Sequence, residues 1–98
     1  MNLIPSRFFL SQIKEFNAEE KKLIGQKLEL AKINPFRYKS INVPGMTKVF
    51  EIKITLNGLY RRIIYSISGE DIRIECIINR KDDFKDLVKF IFKAENEK

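Results

Sequence analysis

The chain has no histidine and one cysteine, Cys76, so its chemistry falls to carboxylates, lysines and arginines. Histidine-dependent triads and His-ligated zinc are excluded. Three groups of charged residues stand out. Glu51 and Lys53 lie two apart in an alternating run, which puts both on the polar face of one strand. Arg61 and Arg62 begin the next alternating run, and Arg80 with Lys81 closes a third. Arginine carries a planar fork that matches phosphate oxygens and never gives up its proton, whereas lysine can. The set therefore suits work on a polyanion, with arginine neutralising charge. Lys53 and Glu51 are the candidates for moving protons, with Lys81 in reserve.

Nineteen Lys and Arg against 13 Asp and Glu give a net charge of +6. That balance favours nucleic acid, ribosomes, an acidic protein or an anionic membrane surface as partners. An apolar fraction of 44%, including eight Phe, suffices for one folded domain spanning residues 1–98. Cys76 sits on an apolar strand face and reads as a buried small hydrophobe. Without a CxxC or Cys/His cluster, no metal and no cofactor are expected. No apolar run approaches the roughly 20 residues that span a bilayer, and the first residues lack a signal-peptide layout. The expectation is a cytoplasmic protein with no membrane association.

The elements that must position these residues follow from periodicity. Residues 1–5 read as a short strand ending at Pro5. Ser6 is an N-cap for a helix over 7–16. Asn17 and Glu20 form a capping-box start for a second helix over 18–33, stopped by Asn34-Pro35. Residues 35–46 read as an ordered loop with a Pro44-Gly45 turn. From 48 to 56 the period becomes two, with Phe50, Ile52, Ile54 and Leu56 on one face and Glu51, Lys53 and Thr55 on the other. Asn57-Gly58 is a hairpin turn. Strands follow over 60–68 and 72–79, the latter with Ile72, Ile74, Cys76 and Ile78 on one face. A last short helix starts near Asp82 or Asp83. The fold class is α+β: an N-terminal helical hairpin on a three- to four-stranded antiparallel meander, helices on one face and the other face available.

In this order the chain resembles the RelE/ParE toxin superfamily. The resemblance runs from about Phe8 to Phe84. It rests on Asn34-Pro35-Phe36-Arg37-Tyr38-Lys39 after the helical hairpin, on Val49-Phe50-Glu51-Ile52-Lys53-Ile54, and on Tyr60-Arg61-Arg62-Ile63-Ile64-Tyr65-Ser66-Ile67. The last piece is Ile77-Ile78-Asn79-Arg80-Lys81-Asp82-Asp83-Phe84. Position 79 is Asn where some relatives have His, and position 84 is Phe where such nucleases often place Tyr. The resemblance implies a RelE-like fold and a toxin neutralised by a cognate antitoxin. It further implies an enzyme: an endoribonuclease that cuts mRNA on the ribosome.

Such cleavage needs no protein nucleophile, because the substrate's own 2′-OH attacks. The protein aligns the phosphate, neutralises its developing charge and moves two protons. Arg62 and Arg80 are then the charge-stabilising pair, with Lys53 and Glu51 as acid and base. Arg61, Lys48, Lys81 and Phe84 are RNA-binding candidates; Phe84, Tyr60 or Tyr38 could stack on a base. Two other readings stand beside this one: a ParE-like inhibitor of DNA gyrase without nuclease residues, and a degenerate non-toxic relative.

Overall fold

The computed structural model describes residues 1–79. The expected closing helix, with Arg80, Lys81 and Phe84, lies outside the described residues. Strand β1 covers Asn2–Pro5. Ser6 then caps helix α1, Arg7–Ile13, its side chain accepting from the Phe9 N–H at 3.0 Å. Helix α1 is shorter than the expected 7–16, because residues 15 and 16 turn back on Gln12 and Ile13 through i→i+3 bonds. The capping box forms: Asn17 accepts from the Glu20 N–H at 2.8 Å, and the Glu20 carboxylate accepts from the Asn17 N–H at 3.0 Å. Helix α2 runs over Ala18–Ile33.

The remaining elements are β2 (Lys39–Ile41), β3 (Val49–Leu56), β4 (Leu59–Ser68) and β5 (Asp71–Asn79). They form one five-stranded sheet in the order β1-β5-β4-β3-β2. The antiparallel meander β3-β4-β5 is as expected. Two differences widen it into a mixed sheet. Strand β1 joins the β5 edge in parallel, Asn2 opposite Asp71 through Pro5 opposite Ile74. Strand β2, read as loop, pairs antiparallel with β3; three residues are too few to show an alternation. Asn57 (φ 52°) and Gly58 (φ 77°) both take the left-handed backbone that a type I′ hairpin turn requires.

Strand β5 also departs from the expected pattern. Ile64 pairs with Cys76 but Tyr65 pairs with Ile74, so Glu75 is a bulged residue. One inserted residue inverts every side chain after it. Ile72, Ile74 and then Ile77 join the core beneath the helices, while Cys76 and Ile78 turn to the opposite face. The single-faced reading of Ile72, Ile74, Cys76 and Ile78 is thereby corrected.

Pro5 ends β1 where the bulge begins, and α1 takes over the β5 edge. The Ser6 hydroxyl donates to the Glu75 carbonyl at 2.8 Å. The Gln12 amide imitates a strand: its NH2 donates to the Ile77 carbonyl and its oxygen accepts from the Ile77 N–H, each at 2.8 Å.

The main core lies between the helices and one sheet face. It joins Phe9, Ile24, Leu28 and Ala31 to the inward residues of β3, β4 and β5. Tyr65 is fully buried in it, stacked on Phe50 with ring centroids 5.5 Å apart, its hydroxyl donating to the Pro35 carbonyl. A smaller core covers part of the opposite face: Ile41, Val43, Met46 and Phe8 fold over Val49, Ile64, Cys76 and Ile78. The face expected to be wholly available is therefore open only beyond this second cluster. No helix among the described residues is long and apolar enough to cross a membrane.

Two outcomes follow. Gln12→Ala leaves both polar groups of Ile77 without their partner, at a cost of about 1–2 kcal/mol. Amide exchange should show Ile77 losing protection; unchanged protection would contradict the strand-mimic role. Second, burial pushes the Tyr65 phenol above its ordinary value of 10.0, with Tyr38 adding to the rise. Burial and then Glu75 push the Cys76 thiol above its ordinary 9.0. The folded chain keeps these protons after the unfolded chain has released them. Stability is therefore full below pH 9 and falls as pH rises through 9 and then 10, by about 1.4 kcal/mol per pH unit for each group. Urea melts at stepped alkaline pH should show this fall, and Tyr65→Phe should make it shallower above pH 10.

Candidate functional site

The site grows from the β3–β4 hairpin. Its tight turn fixes the register and sets Lys53 directly opposite Arg62. Both belong to the face turned away from the helices, since Ile52, Ile54 and Ile63 point into the main core. Two cations opposite each other on one sheet face repel. Glu51 relieves part of this: its carboxylate lies 3.3 Å from the Arg62 guanidinium and 3.9 Å from the Lys39 ammonium. Strand β2 supplies Lys39 by pairing it opposite Glu51.

The Glu51 side chain is only 1% exposed, Arg62 18% and Lys39 67%. Glu51 thus does not face solvent as the polar alternation implied, because β2 and the smaller core close over its end of the strand. Neither carboxylate oxygen accepts a hydrogen bond, and the Arg62 Nε–H has no acceptor. Charge alone holds the group, at 3.3 Å from Arg62. A buried carboxylate held only by charge contributes little net stability; it does fix where the guanidinium sits. Lys53 is exposed, and among the described residues it has no carboxylate partner.

An open groove of about 430 Å³ runs over this point, lined by Lys27, Lys53, Thr55, Tyr60, Arg61 and Arg62. It offers fixed positive charge, a proton-bearing lysine and an exposed ring, Tyr60 being 61% exposed. Fixed cations beside an exposed ring are groups that can hold an anion and stack on a planar one. Among the described residues no three or more His, Cys, Asp or Glu cluster together.

The fold has counterparts among solved structures. An isolated E. coli RelE structure superposes with a TM-score of 0.62 at 17% identity, covering 92% of this chain and 97% of that one. The fold is RelE-like. A free E. coli RelE with two arginines replaced by alanine gives a TM-score of 0.67 at 15% identity, covering 97% of this chain and 94% of that one. The intact E. coli RelBE toxin–antitoxin complex gives 0.63 at 16% identity, over 83% and 98% of the two chains. No family model matches the chain, and no curated protein matches its sequence.

On the RelE-like frame, Glu51, Lys53 and Arg62 come together. Arg61, next in sequence to Arg62, turns to the helix side. Its guanidinium lies 5.1 Å from the centre of the Phe16 ring and donates to the Asn79 side chain at 3.0 Å. It also lines the groove. Lys48 is exposed at the start of β3, with φ 53° and its carbonyl accepting from the Ile67 N–H at 3.0 Å, and it lines neither this groove nor the adjoining one. Sequence reasoning missed Lys27 and Lys39. Lys39 becomes visible only with β2, and Lys27 only once α2 is laid along β3.

Arg62→Ala would leave the buried Glu51 facing Lys39 alone. The expected loss is about 3 kcal/mol in urea unfolding, with part recovered when Glu51→Gln is added. A single variant as stable as the parent would show that Glu51 does not depend on Arg62.

Proposed function

We propose that this chain is the toxin of a toxin–antitoxin pair and an endoribonuclease that cuts mRNA on the ribosome. The observation that carries the reading is Lys53 directly opposite Arg62 in an open groove, with Arg62 held by buried Glu51 and Lys53 left for a ligand. The RelE-like frame supports it.

In this reading the 2′-OH of one nucleotide attacks the adjacent phosphorus and the bond to the 5′ oxygen breaks. The products are a 2′,3′-cyclic phosphate and a 5′-OH. Arg62 neutralises charge growing on the phosphate oxygens, joined by Arg80, which follows β5 in sequence. Lys53 gives a proton to the departing 5′ oxygen at the scissile position, and solvent water takes the proton of the attacking 2′-OH. Glu51 acts through Arg62: its carboxylate is 1% exposed and lies against the guanidinium, so it serves as a positioning residue rather than the base. Lys48, Arg61, Lys81 and Phe84 contribute to RNA binding. A cognate antitoxin is the protein partner, a reading supported by the likeness to the RelBE toxin–antitoxin complex, and the setting is the cytoplasm. The gyrase-inhibitor reading is not favoured, since the solved structures that the chain resembles are of RelE.

Primer extension on a defined mRNA in a reconstituted translation reaction tests the proposal. Cuts at ribosome-occupied codons are expected, lost with Arg62→Ala/Arg80→Ala. Intact mRNA with active ribosomes would overturn the nuclease.

A further inference from the structure

A second groove, of about 380 Å³, adjoins the first. It is lined by Lys27, Arg37, Tyr38, Lys39, Glu51 and Lys53. Lys27 and Lys53 line both, so the two are one trough crossing the outer side of β3. The trough exists because β2 is short: it pairs only with Val49, Phe50 and Glu51, leaving the rest of that β3 edge without a strand neighbour among the described residues. Helix α2 flanks the gap and presents Lys27 to it.

The trough holds six cations (Lys27, Arg37, Lys39, Lys53, Arg61 and Arg62) and one carboxylate, Glu51, a local balance of +5. The whole chain carries +6, so this strip is much more basic than the rest of the sequence. The one carboxylate is buried and already faces Arg62 and Lys39. Arg37 is set in advance, its guanidinium 5.4 Å from the centre of the Tyr38 ring. Exposed Tyr60 stands at the opposite end. From Glu51 to Thr55 the strand spans about 14 Å at roughly 3.4 Å per residue, long enough for more than one phosphate.

We propose that Lys27 and Arg37 extend the phosphate site into a track for single-stranded RNA, with Tyr60 stacking on a base at its far end. This rests on the RNA reading above and adds to it: the scissile phosphate lies at Lys53 and Arg62, and the strand continues over the β3 edge to Lys27 and Arg37. A cationic groove with an aromatic platform is how single strands are held without sequence preference. An acidic protein segment is the competing occupant, and the poly-glutamate arm of the test below distinguishes it.

The test is fluorescence anisotropy of the full chain with a labelled single-stranded 12-nucleotide RNA, titrated at several salt concentrations. For single strands each phosphate contact contributes about 0.7 to the salt slope. Lys27→Gln/Arg37→Gln should flatten the slope by about 1.4 and weaken binding on the order of tenfold near 0.1 M salt. Tyr60→Ala should weaken binding with the slope unchanged. Lys22→Gln, on the outer side of α2, serves as the reference and should bind as the parent does. An unaltered slope in the double variant overturns the track. So does poly-glutamate binding that depends on Lys27 while the RNA does not bind. Primer extension separates the two claims: ribosomal cuts alongside an unaltered slope would remove the track and leave the nuclease standing.

Discussion

A single extra residue in β5 decides how this molecule is arranged. Until Ile74, β5 pairs in parallel with β1 and sends Ile72 and Ile74 beneath the helices. Glu75 then interrupts the ladder, fully buried and ion-paired with Arg73. Beyond it the side chains change face, and Cys76 and Ile78 become the floor of a second core. The chain start is fitted to the same point. Pro5 cannot continue the ladder as a donor, and Ser6 turns the chain into α1 while its hydroxyl takes the carbonyl of the bulged residue. Both faces of the sheet thus carry apolar cover, and on the face away from the helices that cover runs from Cys76 across Ile64 to Val49 and Ile41, leaving the hairpin end of β3 and β4 open. That is where the cations lie.

The electrostatics of the open region follow from one buried charge. Removing Glu51 from water is costly, yet its position between Arg62 and Lys39 gives the guanidinium a fixed place before any ligand arrives. Lys53, directly opposite Arg62, has no such partner among the described residues. An anion placed there would relieve the repulsion between these two cations.

The strong local signals in the sequence are realised: the capping box at Asn17, the Asn57-Gly58 turn and the alternation of Phe50, Ile52, Ile54 and Leu56. Each depends on neighbours within a few residues. What the sequence hid is non-local. The parallel pairing of β1 joins residues about seventy positions apart, Asn2 with Asp71. The bulge at Glu75 has no Gly to mark it, and β2 is too short to show a period. The site was legible to the same extent. Lys53 and Arg62 follow from the hairpin register, whereas the burial of Glu51 needs β2 and the folded loop above it. Lys27 needs the packing of α2. Alternation along β4 sends Arg61 and Arg62 to opposite faces, so that Arg62 is the one that shares a face with Lys53.

The central claim is that the phosphate held at Lys53 and Arg62 is attacked by the RNA's own 2′-OH. It is tested most directly by programming ribosomes with an mRNA carrying a 2′-deoxy sugar at the nucleotide on the 5′ side of the cut. The expected result is no cleavage at that bond while the all-RNA control is cut. Cleavage of the deoxy-substituted bond at the control rate would contradict the mechanism and require a different attacking group.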